Sequence, residues 1–383
     1  MKTSRLFRLT VAFLFIAAMI LPVGQGALAA PSSQTVQAGQ VVGVIVSAAS
    51  QAAAQALWTP AAMAAAKPLP MPVDTGTFVG RTQATAAPSA AAGKPGFAAP
   101  GNADPNADSA AQKAYPADWQ ALASSVSALG AFPSITDGGT ANVFTSYIVN
   151  QWSAAQKIYP NKQVGRLYIS GTPGSGYCSA TAIDHNMIVT AAHCVYDLGA
   201  HAYFSNWVFS PAYRAGSAPY GTFKAASCWV LNTWTGQGSY SISGATPWDV
   251  AVCVMNKNSA KKTLNSAVGW AGRMWDWTYD WDFHDLGYPW EDTNSNSLTD
   301  AGKYLRLCTA EGFQPYSSVI GMGCNWGPGI SGGPWMVGYA PNVNGGYIDS
   351  VNSGYYPGYA DMYGIQFSAG NIGIICAYLG CYH

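Results

Sequence analysis

The stretch Gly329–Pro334 reads Gly-Ile-Ser-Gly-Gly-Pro and lies in the cysteine-containing C-terminal part of the chain. A serine hydroxyl becomes a useful nucleophile only when a base removes its proton and nearby donors stabilise the resulting oxyanion. The glycines around Ser331 let the backbone bend sharply, so that amide N–H groups can converge beside the hydroxyl. A plain glycine–proline turn would have a similar composition. The stretch therefore indicates a nucleophile only if a base and an acid accompany it.

Two other stretches supply those partners. Thr190–Cys194 reads Thr-Ala-Ala-His-Cys and follows the apolar run Met187–Val189. Trp248–Val252 reads Trp-Asp-Val-Ala-Val, in which Asp249 precedes a second apolar run. The order along the chain is therefore histidine, then aspartate, then serine.

In this order the three motifs resemble those of the chymotrypsin-like serine peptidases, and the resemblance covers about residues 160–383. It implies an all-β fold of two six-stranded β-barrels of chymotrypsin type, with His193 and Asp249 from the first barrel and Ser331 from the second. It also implies that Ser331 attacks the scissile carbonyl, that His193 transfers the proton and that Asp249 orients the imidazole. The backbone N–H groups of Gly329 and Ser331 would form the oxyanion hole.

The composition excludes some partner classes. The chain has 383 residues, a formal net charge of zero and only 9% charged residues, so nothing favours a polyanionic partner such as nucleic acid. Its polarity comes from serine, threonine, asparagine and tyrosine, which suits the surface of a secreted protein. This length fits either two or three domains of average size or one large all-β domain plus an additional segment.

Residues 1–29 are typical of a signal peptide. Lys2, Arg5 and Arg8 form a basic start, and Leu9–Leu21 form an apolar core that is too short for an ordinary membrane span. Alanines at the expected cleavage positions complete the pattern. The sequence therefore predicts export, and no later stretch predicts a membrane anchor.

All eight cysteines lie in the C-terminal part, and an even number in an exported chain predicts disulfides rather than metal ligands. Cys178 and Cys194 bracket a predicted hairpin, and the family resemblance implies a bridge between them beside the histidine. For the other six cysteines we expect nearest-neighbour pairing, although sequence alone does not determine connectivity. The expected pairs are Cys178–Cys194, Cys228–Cys253, Cys308–Cys324 and Cys376–Cys381.

Residues 30–150 are rich in alanine, proline, glycine and serine. So few large apolar side chains cannot offset the entropy cost of folding, which predicts a mostly irregular segment. Within it, Val41–Val46 is a candidate strand and Ala107–Leu129 a weakly periodic candidate helix. Before an exported peptidase such a segment resembles a propeptide, and a linker that stays attached is the alternative. The peptidase domain would then span residues 151–383.

From Val164 onward, short β-rich runs separated by turn residues predict an all-β barrel or sandwich. The candidate strands are Gly165–Ser170, Ser179–Ile183, Met187–Ala191, Tyr203–Phe209, Ser227–Leu231, Val250–Met255, Tyr304–Cys308, Trp335–Tyr339 and Gly364–Phe367.

Ile330 departs from the trypsin pattern, which places an aspartate directly before the nucleophile. That aspartate pairs with the N-terminal amine that activation sets free. An isoleucine cannot form the ion pair, so we expect activation here to remove a covering segment instead.

The residues expected to bind substrate are Asn325, Gln366, Phe367, Ser368 and Ala369. By resemblance to bacterial glutamyl endopeptidases, Gln366 stands where a substrate-binding histidine would be, so strict preference for glutamate is not expected. Asn325 stands where trypsin-like enzymes have an aspartate, so basic preference is not expected either. We predict a neutral pocket, with the backbone at Phe367–Ala369 pairing with an extended substrate as an added strand.

Two further stretches have open interpretations. The tryptophan-rich run Trp270–Trp290 is either a packed insertion that covers apolar surface, which we favour, or a substrate-binding patch. Asp292–Asp300 resembles a calcium loop but lacks its turn glycine and its terminal glutamate, and no histidine spacing fits zinc. We therefore expect no metal site.

Together these patterns predict a secreted, extracellular serine endopeptidase that is made as a zymogen and works through an acyl-enzyme intermediate without a cofactor. Its expected partners are a protein or peptide substrate and its own propeptide; we expect a monomer, no nucleic acid and no membrane after signal cleavage. The alternative is a catalytically silent homologue used for extracellular binding or adhesion. A serine esterase is a second rival, but its Gly-x-Ser-x-Gly motif normally precedes the acid and the histidine.

Overall fold

The computed structural model describes residues 34–80, 93–101, 144–149, 155–171, 174–340 and 346–381. The predicted signal peptide and the candidate helix Ala107–Leu129 lie outside these ranges. Among the described residues, no helix is long and apolar enough to cross a bilayer.

Four short strands precede the main sheets in sequence. They are β1 (Gln34–Ala38), β2 (Val41–Ile45), β3 (Gly96–Ala98) and β4 (Thr145–Ile148). The strand expected at Val41–Val46 is thus confirmed as β2.

The first barrel is a closed sheet of six strands. They are β5 (Val164–Ser170), β6 (Gly176–Asp184), β7 (Met187–Thr190), β10 (Ser205–Pro211), β11 (Phe223–Leu231) and β12 (Ala251–Met255). Their order is β11-β10-β5-β6-β7-β12, and β12 pairs back with β11 to close the barrel. A small hairpin of β8 (Tyr196–Asp197) and β9 (Ala202–Tyr203) lies between β7 and β10 in sequence.

The strands β5, β6 and β7 of this barrel are buried along their whole length. Along β5, Leu167 and Ile169 belong to one apolar cluster, whereas Tyr168 between them belongs to another. Side chains of a strand point alternately to opposite faces, so both faces of β5 pack against other parts of the chain. This two-sided burial explains why the sequence shows short continuous apolar runs here rather than strict alternation.

The second barrel is also a closed six-stranded sheet. Its strands are β14 (Asp282–Gly287), β15 (Arg306–Tyr316), β16 (Val319–Gly323), β17 (Pro334–Val337), β18 (Tyr347–Tyr355) and β19 (Asp361–Ile365). The order is β17-β14-β15-β16-β19-β18, and β18 pairs back with β17. A further strand, β13 (Gly272–Trp275), pairs parallel with β18. Every candidate strand that the sequence analysis placed after Val164 overlaps a strand of these two barrels.

The described parts of the N-terminal segment are attached to both barrels. β2 pairs with β11, and β1 pairs with β2, so this hairpin extends the first sheet. β3 pairs with β13, and β4 pairs with β15 of the second barrel. Val41 and Val44 are each only 2% exposed, because the first barrel provides the apolar surface that the segment itself lacks. The sequence analysis predicted β2 but missed β1, β3 and β4, whose order depends on pairing with other strands.

Helices are few and short among the described residues. They are α1 (Ala48–Leu57), α2 (Pro60–Ala65), α3 (Asn232–Thr235), α4 (Leu264–Val268) and α5 (Ile372–Leu379). Single 3-10 turns occupy Ala155–Lys157, Asn161–Gln163, Ala192–Cys194 and Thr246–Trp248. The sequence analysis did not predict α1 and α2, although Ser47 and Thr59 cap them with their hydroxyls and Pro60 opens α2, as helix starts require.

The structure contains four disulfides, of which three lie within one or the other barrel and the fourth closes the end of α5. They join Cys178 to Cys194, Cys228 to Cys253, Cys308 to Cys324 and Cys376 to Cys381. These are the pairs that the sequence analysis expected. Cys228–Cys253 links paired residues of β11 and β12, and Cys178–Cys194 ties β6 to the turn that carries His193.

Candidate active site

Asp249 is the most tightly held carboxylate of the site. It lies between the turn Thr246–Trp248 and β12 and is fully buried. Its Oδ1 accepts a hydrogen bond from the backbone N–H of His193 at 2.8 Å, and its Oδ2 lies 2.8 Å from His193 Nδ1. Ser353 Oγ donates to the same Oδ2 at 2.5 Å. Three donors therefore compensate the burial of this carboxylate.

His193 lies in the turn Ala192–Cys194 directly after β7 and is 8% exposed. The hydrogen bond from Nδ1 to Asp249 fixes both the ring orientation and the tautomer, so that Nε2 is the free basic nitrogen. The disulfide from Cys194 to Cys178 holds the backbone of the turn against β6. The ring is thus held in one orientation, with Nε2 as the nitrogen that remains available.

Ser331 lies in the loop before β17 and is 1% exposed. Its carbonyl oxygen accepts a hydrogen bond from Ser179 N at 2.8 Å, which joins the loop to β6 of the first barrel. The N–H of the next residue, Gly332, donates to Asn352 O at 2.9 Å, which joins it to β18. Within the described residues, neither Ser331 Oγ nor His193 Nε2 has a hydrogen-bond partner. Both atoms are therefore buried and unpaired.

Gly332 allows the serine loop to lie directly against the histidine strand. Its φ is +76°, a conformation that residues with a Cβ rarely adopt. A Cβ at this position would lie 2.1 Å from Thr190 Oγ1 and 2.7 Å from Ala191 N. Only glycine therefore permits this close contact between the second barrel's loop and the chain that leads to His193.

Gly329 and Ser331 present free backbone donors. Gly329 has φ +102°, and a Cβ there would lie 2.5 Å from Tyr288 O, so glycine is required here too. Among the described residues, the N–H groups of Gly329 and Ser331 donate no hydrogen bond to the protein. Two unpaired N–H groups beside a serine hydroxyl can stabilise a developing oxyanion.

A second buried carboxyl group supports the serine loop from behind. Asp285 Oδ1 accepts a hydrogen bond of 2.6 Å from Asn352 Nδ2, while Asn352 Oδ1 accepts one of 2.9 Å from Trp335 Nε1. The backbone of Asn352 also donates to Gly333 O at 2.9 Å. Burial raises the pKa of Asp285 well above its usual range, and the hydrogen bond from Asn352 opposes this only in part.

The structure does not support the predicted pairing of Phe367–Ala369 with substrate. The N–H of Phe367 donates to Asp349 O at 2.9 Å, and the N–H of Ser368 donates to Asn371 Oδ1 at 2.7 Å. The N–H of Ala369 lies 3.3 Å from both carboxylate oxygens of Asp276. These backbone donors are already used within the protein, so they offer no free edge.

Gln366 is likewise engaged within the protein. It is 3% exposed, and its Nε2 donates to Trp277 O at 2.8 Å while its Oε1 accepts from Gln314. The side chain therefore joins β19 to the tryptophan-rich run rather than facing an open pocket. Asn325 is half-buried and directly precedes the fully buried Trp326, and its carbonyl oxygen accepts a hydrogen bond of 3.0 Å from Thr293 N.

Ser353 was missed by the sequence analysis, which expected the backbone at Phe367–Ala369 to pair with substrate. It lies in β18 and donates to Asp249, and Tyr240 OH lies 3.1 Å from its hydroxyl. A single serine in a β-rich run carries little signal. The available hint was the pair Ser353-Gly354 in the first long strand after Ser331.

Two groups of residues were considered as metal ligands, and both make contacts within the protein. The atoms of Cys178, His193 and Cys194 lie within 4.8 Å of one another, but a cysteine in a disulfide is not a thiolate ligand. In the calcium-like loop, Asp292 accepts from the N–H groups of Asn294 and Asn296.

The tryptophan-rich run packs against the N-terminal segment. Trp270 Nε1 donates to Ala99 O at 3.1 Å, and Trp277 Nε1 donates to Gly96 O at 2.9 Å. β3 pairs with β13 in the middle of this run. These contacts favour a packed insertion over an open binding patch.

Comparisons with characterised sequences give no match. No protein-family model matches the chain. No curated protein matches it either.

Solved structures do resemble this one. The protease Anisep from Arthrobacter nicotinovorans is 29% identical, with a TM-score of 0.47, over 54% of this chain and 90% of that one. The thermostable serine protease AL20 from an extremophilic microorganism is 24% identical, with a TM-score of 0.43, over 56% of this chain and 94% of that one. A glutamyl endopeptidase is 18% identical, with a TM-score of 0.50, over 63% of this chain and all of that one. Two closed six-stranded barrels and this last match show that the chain has the chymotrypsin-type double β-barrel fold.

Proposed function

We propose that this protein is a serine endopeptidase whose nucleophile is Ser331. The observation that carries the proposal is the hydrogen-bonded pair of His193 and Asp249 beside a buried serine. Asp249 is fully buried and holds His193 through two hydrogen bonds, one from the ring Nδ1 and one from the backbone N–H. His193 Nε2 and Ser331 Oγ are both buried without a partner among the described residues, and Cys194 Sγ, on the residue after His193, lies 3.9 Å from Ser331 O; a purely structural histidine would not need a free basic nitrogen there.

The residues act in the following order. Ser331 Oγ attacks the carbonyl carbon of the scissile bond, and His193 Nε2 takes the hydroxyl proton. The N–H groups of Gly329 and Ser331 stabilise the oxyanion, a contribution of about 3 kcal/mol for each donor. His193 then gives the proton to the leaving amine, and Asp249 stabilises the imidazolium throughout. Water releases the acyl group from Ser331 in the second half of the reaction.

The unpaired atoms of the site fit this mechanism. Ser331 Oγ and His193 Nε2 are both buried without a partner among the described residues, and an unsatisfied buried polar atom costs about 1–3 kcal/mol. A hydrogen bond between them would satisfy both. We propose that this bond forms when the site is active.

Export is part of the same proposal. Four disulfides form and persist in an oxidising compartment, and the start of the chain has the features of a signal peptide. We propose an extracellular enzyme that is synthesised as a precursor with residues 30–150 as its propeptide and residues 151–383 as its peptidase domain.

The silent-homologue alternative has less support. A binding protein would need neither the three donors on Asp249 nor two glycines in the left-handed region of the backbone around Ser331. Such features restrict sequence and cost backbone entropy, so their joint presence favours chemistry.

The test is peptide hydrolysis after activation of the full chain. The precursor is treated with an unrelated metalloprotease, which is then stopped with a chelator, and unstructured peptides are added. We expect hydrolysis that falls at least about 10³-fold in both Ser331→Ala and His193→Ala. Equal hydrolysis by the parent and both variants would contradict the proposal.

A further inference from the structure

Residues Lys67–Asp74, called the groove segment below, pair with both barrels. At the first barrel, the N–H of Tyr177 donates to Lys67 O at 3.1 Å, and the N–H of Leu69 donates to Tyr177 O at 3.0 Å. This bridge is parallel, with Pro68 opposite Tyr177. The close approach requires Gly176, because a Cβ there would lie 2.8 Å from Leu69 N.

At the second barrel, the same segment pairs with the end of β18. The N–H of Asp74 donates to Tyr355 O at 3.1 Å, and Val73 is bridged to Tyr355, again in the parallel direction. A Cβ at Gly354 would lie 2.8 Å from Pro72 O. The carboxylate of Asp74 also accepts a hydrogen bond of 2.7 Å from the N–H of Ile242.

The two strands to which the segment is bonded, β6 at Tyr177 and β18 at Tyr355, both lead to residues of the proposed catalytic site. Tyr177 is two residues before Ser179, whose N–H donates to Ser331 O. Tyr355 is two residues after Ser353, which is bonded to Asp249. A chain that is bonded to both edges therefore crosses the cleft at the catalytic site.

Two side chains of the segment are buried, one in the apolar cluster of each barrel. Leu69 is 5% exposed and belongs to the apolar cluster of the first barrel. Met71 is 4% exposed and belongs to the cluster of the second barrel that also contains Trp326 and Tyr355. Val73, in contrast, is 40% exposed. Leu69 and Met71 are thus the residues whose burial fixes the segment.

The direction of the segment is opposite to that of a substrate. In the proposed reaction the acyl half of a substrate stays on Ser331, which belongs to the second barrel. The leaving amine takes its proton from His193, which belongs to the first barrel, so the amine half lies on that side. A substrate therefore runs from the second barrel to the first, in the N-to-C direction. The groove segment runs from Tyr177 of the first barrel to Tyr355 of the second.

We propose that the groove segment occupies the substrate groove in the reverse direction and holds the precursor inactive. The proposal rests on the peptidase function proposed above. Because the chain is reversed, its peptide bonds present the leaving nitrogen on the wrong side of Ser331, so the segment blocks the groove without being cut there. Activity then requires that the segment leave, which accounts for the absence of an aspartate before Ser331.

The test compares two variants of the full chain, a double and a single variant, that both introduce aspartate into the groove segment. Leu69→Asp/Met71→Asp places two carboxylates in buried apolar positions, which expels the segment because buried unpaired charges are strongly unfavourable. Val73→Asp places a carboxylate at an exposed position of the same segment and serves as the control. The first measurement is the rate at which a fluorophosphonate probe labels Ser331. The second is amide hydrogen exchange of the peptide that contains residues 67–74.

We expect at least tenfold faster labelling and faster exchange in the double variant, whereas Val73→Asp stays within twofold of the parent in both measurements. The inference is overturned if the parent labels as fast as the double variant, or if residues 67–74 exchange rapidly in the parent. If the protein is not a serine peptidase, the result is different: Ser331 stays unlabelled in the double variant even though hydrogen exchange of residues 67–74 has become fast. That result overturns the inhibitory role together with the function on which it rests.

Discussion

Ser353 Oγ donates a hydrogen bond of 2.5 Å to Asp249 Oδ2, across the boundary between the second barrel and the first. The serine is fully buried in β18, and the aspartate holds His193 from the other side. This contact ties the orientation of the base to the strand whose end also receives the groove segment. It therefore connects the geometry of the proposed triad to the substrate groove.

Removal of the Ser353 hydroxyl should weaken catalysis without unfolding the protein. A hydrogen bond to a charged group contributes about 1.5–3 kcal/mol, so Ser353→Ala should lower kcat by roughly 10- to 100-fold. Ser350→Ala is the matched control, because Ser350 is a buried residue of the same strand whose Oγ has no partner among the described residues. Steady-state kinetics of the activated enzyme measures both, and equal kcat values for the two variants would contradict the role of Ser353.

The disulfide beside the histidine should stabilise the fold more than the disulfide at the C-terminus. Cys178 and Cys194 are 16 residues apart, whereas Cys376 and Cys381 are 5 apart. The longer loop loses more chain entropy when it is closed, so double alanine substitution should cost about 3 kcal/mol at the first pair and about 1 kcal/mol less at the second. Urea unfolding measures this difference. An opposite order would show that native packing outweighs loop closure here.

Stability should fall as the pH rises, in part because of Asp285. Its pKa is raised by burial in the folded state, so the folded protein keeps a proton that the unfolded chain has released. The contribution is fully present below the ordinary aspartate pKa and is lost as the pH rises through the folded-state pKa. Asp285→Asn keeps an acceptor for Asn352 but cannot ionise.

We therefore expect the urea midpoint of Asp285→Asn to fall less between pH 5 and pH 8 than that of the parent. Asp349→Asn should act in the same direction, because burial also raises the pKa of Asp349 well above its usual range. Parallel pH profiles for the parent and both variants would contradict this assignment.

The specificity pocket should prefer neutral side chains. By the resemblance to trypsin-like enzymes, we propose that Asn325 takes the place of the carboxylate that attracts lysine or arginine; Trp326 next to it is buried and apolar. A peptide library digested by the activated enzyme should show no strong cleavage after basic residues. In Asn325→Asp, cleavage after lysine and arginine should increase at least tenfold, since a pocket carboxylate selects for a cation. A basic preference already present in the parent would overturn this assignment.

Much of the architecture could be predicted from the sequence because it depends on local patterns. The runs around Met187 and Val250 are short and apolar, and the motifs at His193 and Ser331 carry glycines or cysteines with specific backbone roles. The nearest-neighbour expectation for the cysteines agrees with the four disulfides, although the sequence alone left the connectivity open.

The remaining features depend on contacts between distant parts of the chain. Ser353 becomes recognisable only when β18 lies against Asp249, and no neighbouring residue marks it. The order of α1 depends on packing against the first barrel, so its alanine-rich sequence indicated a linker. The substrate edge was sought at Phe367, whose N–H is in fact bonded to Asp349 O.

The most direct measurement is the identity of the residue that reacts with a fluorophosphonate in the Leu69→Asp/Met71→Asp variant. Mass spectrometry of the digested adduct should find a single modified residue, Ser331, and labelling should disappear in Ser331→Ala and slow at least about 10³-fold in His193→Ala. An adduct on another residue, or labelling that persists in Ser331→Ala, would contradict the assignment of Ser331 as the nucleophile.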